Sequence, residues 1–219
     1  MKRNCGEIKE AFQIKPYYRT ILYLVITGLL VPSFGSFDYY FMIDVVGISD
    51  STLSLLGVLG YACSLLSTQL FNSYFKDWEY QSLIKMNAVI ELLLAPLSMI
   101  FILRLNEGLG IPDMALIIFT SQVSSILGKC LVFLPMSVIM GKICPQHIEA
   151  TSFALLAGIS NFRSQISSYT GTWINEQYVG CTNSDLGNYW KLGVIELVCS
   201  MLPLFFIWLI PTRKSIEDI

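Results

Sequence analysis

The chain repeats one feature six times: an apolar stretch about as long as a lipid bilayer's hydrocarbon core is thick. A helix needs roughly 20 apolar residues to cross that core. The stretches lie at 20–43, 51–75, 82–103, 114–141, 151–175 and 189–210. Hydrophobic residues make up 54% of the 219 residues and charged residues 14%, whereas a soluble domain is about a quarter charged. The pattern predicts an all-α membrane protein, a bundle of six transmembrane helices. Pro32, Pro96 and Pro135 fall inside the stretches and are expected to bend their helices.

The segments outside these stretches are short, and they divide the chain into three predicted parts. A polar lead-in at 1–19 precedes the transmembrane domain at 20–211, and a tail at 212–219 follows it. Six crossings place both termini on one side, where ten basic residues fall, against Arg104 and Lys191 opposite. The ten are Lys2, Arg3, Lys9, Lys15, Arg19, Lys76, Lys85, Lys142, Arg213 and Lys214. Basic residues favour cytoplasmic loops. Both termini are therefore predicted to be cytoplasmic, in the plasma membrane or an organelle membrane.

Five ionisable residues fall inside the predicted helices, where charge is costly. They are Asp38, Glu91, Lys129, Arg163 and Glu196. A charge at the centre of the bilayer costs on the order of 3 kcal/mol even on lenient insertion scales. Five such charges facing lipid would outweigh the net stability of about 5–15 kcal/mol that is typical of a protein. We therefore expect these side chains to face protein, water or one another.

Polar residues recur at three- and four-residue spacing along three of the helices, which predicts an inward face on each. The sets are Asn87 with Glu91, Ser121 with Ser125 and Lys129, and Ser160 with Arg163 and Ser167. Two interpretations stay open. In the first, Lys129 or Arg163 forms a structural ion pair with Glu91 or Asp38. In the second, the charges line a solute path, where the cations receive an anionic substrate and a carboxylate takes up a proton.

Aromatic side chains surround Asp38. They are Phe34, Phe37, Tyr39, Tyr40 and Phe41. One interpretation is that these rings wall a polar cavity, where a flat heteroaromatic substrate would stack on them and a carboxylate would bond to its amino edge. The other is an aromatic belt at the membrane surface.

The sequence lacks the motifs that several other functional classes require. Its one histidine, His147, falls in a predicted loop, so a serine hydrolase within the membrane would have no base among the helices. There is no HExxH zinc motif and no GxxxxGK[ST] phosphate-binding loop, and the six cysteines form no CxxC pair. We expect neither an enzyme, nor a metal or other cofactor, nor nucleic-acid binding.

Two stretches resemble a known family. FLPMSVIMGKICPQHIEATSFALLAGISN, residues 133–161, is similar to the tenth-to-eleventh helix segment of the folate–biopterin transporter family, a branch of the major facilitator superfamily. The matching residues are Cys144, Pro145, Glu149, Ala150, Thr151, Phe153, Ala154, Leu155 and Leu156. PSFGSFDYYF, residues 32–41, resembles that family's seventh helix, where Pro-Ser leads into an acidic residue and an aromatic cluster. The resemblance covers most of residues 16–211 and implies helices 7–12 of a transporter with about twelve helices.

The resemblance implies secondary active transport of a pterin- or folate-like organic anion, coupled to protons. Lys129 and Arg163 would meet the carboxylates of the substrate, while Asp38 and Glu91 would bond to the pterin edge or carry the proton. The residues expected at the substrate are Asp38, Lys129, Arg163, Phe37 and Tyr40, and those expected in proton coupling or ion pairs are Asp38, Glu91 and Glu196.

The chain also departs from the family's pattern. His147 and Arg163 stand where small residues are common, and the chain matches six helices rather than twelve. The substrate site of such transporters lies between two six-helix halves. The expected partners are therefore a small organic anion, the lipid bilayer, and a second six-helix half or another chain. The alternative is a structural or regulatory subunit that does not transport, in which the charges pair within the bundle and leave no open polar groove.

Overall fold

The computed structural model describes residues 14–143 and 149–217, and the regular structure within them is helical. The helices are α1 (Lys15–Leu30), α2 (Gly35–Val45), α3 (Asp50–Phe75), α4 (Tyr80–Ile102), α5 (Leu105–Leu109), α6 (Asp113–Ile143), α7 (Glu149–Ile174), α8 (Tyr189–Leu209) and α9 (Arg213–Glu217). The predicted all-α membrane fold is confirmed. Residues 1–13 of the lead-in, His147 with the rest of 144–148, and residues 218–219 lie outside the described residues.

A helix forms at each of the six predicted crossings. Among the described residues α3, α4, α6 and α8 are long and apolar enough to span a membrane, and the bent pair of α1 and α2 would make a fifth crossing. The helix α7 has 26 residues, which give a length of about 39 Å at 1.5 Å per residue. It does not meet the same standard of apolarity, because polar residues cluster at its centre. The predicted crossing at 151–175 is therefore a long helix, but a more polar one than the others.

A proline breaks the first predicted crossing into two helices. Pro32 has no N–H to donate, and it disfavours helical geometry in the residue before it. Val31 is accordingly extended, with φ −108° and ψ 98°, and α1 and α2 meet at 53°. Pro96 and Pro135 lie inside α4 and α6 without ending them. The bend predicted at Pro32 is a complete interruption of the helix.

The helices pack in a continuous series: α7 contacts α1, α1 contacts the end of α8, α8 contacts α4, α4 contacts α6, and α6 contacts α3. Two clusters of buried apolar side chains occupy opposite ends of these helices. The Tyr80 cluster contains Tyr17, Ile21, Tyr23, Leu24, Tyr80, Ile84, Met136, Ile139, Met140, Ile143, Leu209, Ile210 and Ile216. The Phe101 cluster contains Phe34, Phe41, Phe101, Leu116, Ile117, Cys181, Tyr189 and Leu192. Along α4 and α8, Asn87, Glu91 and Glu196 lie between the two clusters.

Hydrogen bonds from arginine residues stabilise the connections at each end of the bundle. Arg104 adopts a left-handed conformation at φ 55°, and its guanidinium donates to Asp113 and to Glu107, each at 2.6 Å. The hydrogen bond to Asp113 is the main reason why the pKa of Arg104 lies above its ordinary value. Near the opposite end, the backbone N–H of Arg213 donates to the carboxylate of Glu79 at 3.1 Å. These charges hold the connections in place and lie apart from the charges inside the helices.

Candidate functional site

A cavity of about 630 Å³ opens between α2, α4, α6 and α8, within the range of about 300–1,000 Å³ that is common for small-molecule pockets. Three carboxylates line it, and each comes from a different helix: Asp38 on α2, Glu91 on α4 and Glu196 on α8. None of the described residues that line it is basic. We call it the acidic cavity. It brings together all three carboxylates that the sequence places inside the predicted crossings.

A tyrosine from α8 binds Asp38 across the cavity wall. The hydroxyl of Tyr189 donates to a carboxylate oxygen of Asp38 at 2.5 Å. The ring of Tyr189 stacks on that of Phe41, with 4.5 Å between centroids and 25° between planes, so packing fixes the position of the hydroxyl. Tyr189 and Glu196 are seven residues apart, two turns of α8, and both face the cavity.

The remaining acceptors in the acidic cavity have few donors. The hydroxyl of Ser124 donates to one oxygen of Glu91 at 2.5 Å, which leaves the other oxygen without a hydrogen bond among the described residues. Glu196 has no described hydrogen bond, and the buried Oδ1 of Asn87, one turn before Glu91, has no described partner. Buried acceptors without donors are costly. The cavity is therefore suited to a ligand that presents hydrogen-bond donors.

A second cavity, of about 180 Å³, adjoins the first and reaches α1 and α7. Its lining shares four residues with that of the acidic cavity: Val31, Asn87, Glu91 and Ser200. Arg163 from α7 and Tyr23 from α1 line the second cavity but not the first. We call it the Arg163 cavity. The two cavities are thus neighbouring spaces of different character: three acidic residues line the first, whereas Arg163 and the shared Glu91 line the second.

Close packing against α1 fixes the position of Arg163. A Cβ atom placed on Gly28 would lie 3.0 Å from the Cα of Arg163 and 2.6 Å from its Cγ, so glycine is required for the two helices to approach this closely. Within the part of the chain that the structure describes, the guanidinium of Arg163 makes no hydrogen bond and no ion pair. The hydroxyl of Tyr23, on a side chain only 4% exposed, likewise has no described hydrogen bond.

One turn further along, α7 also forms hydrogen bonds with the segment between α1 and α2. The hydroxyl of Ser167 donates to the carbonyl of Val31 at 2.5 Å, and the N–H of Ser33 donates to the carbonyl of Ser167 at 3.0 Å. Gly171 lies directly against the carbonyl of Ser33, where a Cβ atom would not fit. Backbone groups released by Pro32 are thus satisfied inside the bundle, as a membrane interior requires.

Lys129 lies elsewhere. Its ammonium donates to the hydroxyl of Ser64 on α3, and it lines neither cavity. Two π-helical turns, Ile118–Val123 and Lys129–Phe133, interrupt α6, and a π turn inserts an extra residue into the helical repeat. Ser121 consequently faces the acidic cavity while Lys129 contacts α3. The common face predicted from their spacing, and with it the meeting of Lys129 with the carboxylates, does not form.

The structural ion pair, one of the two interpretations that the sequence left open, does not occur among the described residues. Their ion pairs join Arg104 to Glu107, Arg104 to Asp113, and Arg213 to Asp77. None of these pairs joins two of the five charges inside the predicted crossings. Among the described residues, the internal cations are therefore not paired with the internal carboxylates, and these side chains lie at cavity walls or at a helix contact.

The aromatic residues around Asp38 contribute less to the cavities than the sequence suggested. Phe37 and Tyr40 are half-buried and line neither cavity, while Phe34 and Phe41 are buried in the Phe101 cluster. The exposed Tyr39 donates its hydroxyl to Asp50 at 2.9 Å.

The rings that do line the acidic cavity, Phe101 and Tyr189, were missed at the level of sequence. The seven-residue spacing of Tyr189 and Glu196, which places both on one face of a helix, was the one sequence signal that Tyr189 lies at the site.

The fold and the two cavities define an all-helical, multi-pass membrane protein with a polar interior. The chain belongs to the BT1 family, whose model matches residues 1–219, and the predicted resemblance to folate–biopterin transporters is confirmed.

Probable folate-biopterin transporter 2 of Arabidopsis thaliana is 31% identical over 163 residues, 74% of this chain and 32% of that protein. Probable folate-biopterin transporter 4 of the same plant is 24% identical over 94% of this chain and 41% of its own length. The folate-biopterin transporter of Synechocystis sp. is 27% identical over 82% of this chain and 36% of its own length. The chain thus spans well under half the length of these relatives. No solved structure matches it.

Proposed function

We propose that the chain forms one wall of a transport site for a pterin- or folate-like compound. The observation that carries the proposal is the acidic cavity, where Asp38, Glu91 and Glu196 converge from three helices. The pyrimidine edge of a pterin presents adjacent N–H donors in one plane, and a carboxylate accepts two parallel hydrogen bonds from such a pair. The rings of Phe101 and Tyr189 offer aromatic contact to a flat heterocycle.

The same carboxylates are the proposed carriers of a coupling proton. An ionisable residue inside a membrane protein that faces a cavity is a candidate for proton relay. Glu196 is the most available of the three, because Asp38 is held by Tyr189 and Glu91 by Ser124. Uptake is then expected to rise when the proton concentration is higher on the side from which substrate enters, and to collapse when a protonophore removes the gradient.

Transport is better supported than the alternative of a purely structural or regulatory subunit. That alternative predicts internal charges that neutralise one another and a bundle without an open polar groove. Among the described residues the internal charges form no such pairs, and two adjoining polar cavities are present. We further propose that a second set of helices closes over the cavities, and that both termini are cytoplasmic, as the basic residues favour.

An uptake assay tests the proposal. Cells that express the complete reading frame containing this chain are expected to accumulate radiolabelled folate and biopterin above vector controls. Asp38→Asn should lower the uptake of both compounds by at least tenfold, because a hydrogen bond to a charged group contributes about 1.5–3 kcal/mol and about 1.4 kcal/mol corresponds to a factor of ten. Glu176→Gln is the matched control, since Glu176 is exposed and lines neither cavity. Absence of uptake of either compound by the wild type would refute the proposed function.

A further inference from the structure

We infer that the Arg163 cavity is an anion subsite which binds the carboxylate tail of a folate-like substrate and thereby distinguishes such substrates from tail-less pterins. This inference rests on the proposed function and makes it more specific. The proposal for the acidic cavity concerns the heterocyclic head, which both kinds of compound share. The Arg163 cavity concerns the part in which they differ.

The first argument is the state of the guanidinium. Arg163 offers five N–H donors in a planar fork that matches a carboxylate, and none of them has a hydrogen-bond or ion-pair partner among the described residues. An unpaired cation at this depth is costly, and residues of this kind face a bundle interior or a cavity for a functional reason. Tyr23, whose hydroxyl also has no described hydrogen bond, lines the same space and has one more donor to offer an anion.

The second argument is the distribution of charge. The described lining of the acidic cavity has three acidic residues and no basic one, whereas that of the Arg163 cavity has one basic residue, Arg163, and one acidic residue, the shared Glu91. Lys129 is not available for this role, because its ammonium is bound to Ser64 at the contact with α3. A substrate with a donor-rich head and an anionic tail matches this order when its head lies near Asp38 and Glu196 and its tail near Arg163.

The third argument is size and continuity. At about 180 Å³ the Arg163 cavity is smaller than the roughly 300 Å³ at which pockets for whole small molecules begin, so it suits one part of a ligand. It adjoins the larger cavity at Val31, Asn87, Glu91 and Ser200. Because these four residues line both spaces, a single extended ligand can reach from one space into the other.

The test compares two substrates in the same variant. In cells that express the complete reading frame, Arg163→Gln is expected to lower folate uptake by about tenfold, the loss of one charge-assisted hydrogen bond. Biopterin, which has no carboxylate tail, should stay within about twofold of the wild type. Lys85→Gln is the control, because it removes an exposed cation from α4 that lines neither cavity. An equal fall for both substrates, or an unchanged ratio, would overturn the inference.

A second variant keeps the test decisive if Arg163→Gln does not reach the membrane in normal amount. Tyr23→Phe retains the ring and its packing and removes only the hydroxyl. It is expected to lower folate uptake by about threefold, as for one neutral hydrogen bond, with biopterin uptake unchanged. If Tyr23→Phe leaves the ratio of folate to biopterin uptake as it is in the wild type, the subsite is refuted. The proposed function fails separately, when the wild type transports neither compound.

Discussion

Two helix contacts in this protein each contain one basic side chain, and these two side chains differ in whether they have a hydrogen-bond partner. At the contact of α3 with α6, the ammonium of Lys129 is bound to the hydroxyl of Ser64. At the contact of α1 with α7, Arg163 lines a cavity, and its guanidinium has no hydrogen-bond or ion-pair partner among the described residues. The two residues carry the same charge, and each falls inside a predicted crossing. Packing decides which of them is used to hold helices together and which is available to a ligand.

The glycines at these two contacts differ in the same way. Gly28 and Gly171, where α1 and its continuation meet α7, leave no room for a Cβ atom, whereas a Cβ atom on Gly60 of α3 would lie 3.5 Å from the side chain of Gln122 on α6, an ordinary contact distance. The contact that contains Arg163 is therefore closely fitted, and the one that contains Lys129 depends more on its hydrogen bond.

The largest effect is expected from Gly171→Ala. The new methyl group would fall against the carbonyl of Ser33, and overpacking of this kind costs about 3 kcal/mol when backbone must move. We expect a corresponding loss in the free energy of unfolding, measured by denaturant titration in mixed micelles with tryptophan fluorescence. Gly158→Ala on the same helix has open space around its Cβ atom and should change stability by no more than about 1 kcal/mol. Equal stability of the two variants would contradict the close fit.

A smaller effect is expected from Ser64→Ala. The substitution removes the described partner of the Lys129 ammonium, and a hydrogen bond to a charged group contributes about 1.5–3 kcal/mol. The same titration should show a loss in that range. Ser54→Ala is the matched control, because the exposed hydroxyl of Ser54 bonds only to the carbonyl of Asp50 in its own helix. If both serines proved equally dispensable, Lys129 would not be fixed at this contact.

The smallest effect is expected from Ser167→Ala. This variant loses the hydroxyl bond to the carbonyl of Val31, but the backbone bond from Ser33 to residue 167 remains. One neutral hydrogen bond contributes about 0.5–1.5 kcal/mol. The neighbouring Ser168→Ala provides the comparison, since the side chain of Ser168 is exposed and has no described hydrogen bond. A loss as large as that of Gly171→Ala would mean that the hydroxyl, rather than the close backbone approach, holds the α1–α7 contact.

The sequence predicted what depends on regular helical geometry. Apolar stretches of sufficient length predicted where the helices lie. Asn87 and Glu91, four residues apart on the uninterrupted α4, line the same two cavities, as their spacing predicted. The common face predicted for Ser121 and Lys129 does not form, because π turns shift the register of α6. No local pattern could show that Asp38 accepts a hydrogen bond from Tyr189, 151 residues away, since such pairs depend on how helices meet.

The interruption at Pro32 has a consequence for how the protein is made. The carbonyl of Val31 receives the hydroxyl of a serine that lies 136 residues later in the chain. A ribosome therefore completes the first broken crossing long before it adds the residue that finishes its hydrogen bonding. During synthesis this segment needs water, lipid headgroups or the insertion machinery to stand in for α7, because bare backbone polar groups are not tolerated in hydrocarbon. The hydrogen bonding of this crossing therefore cannot be complete before Ser167 has been synthesised.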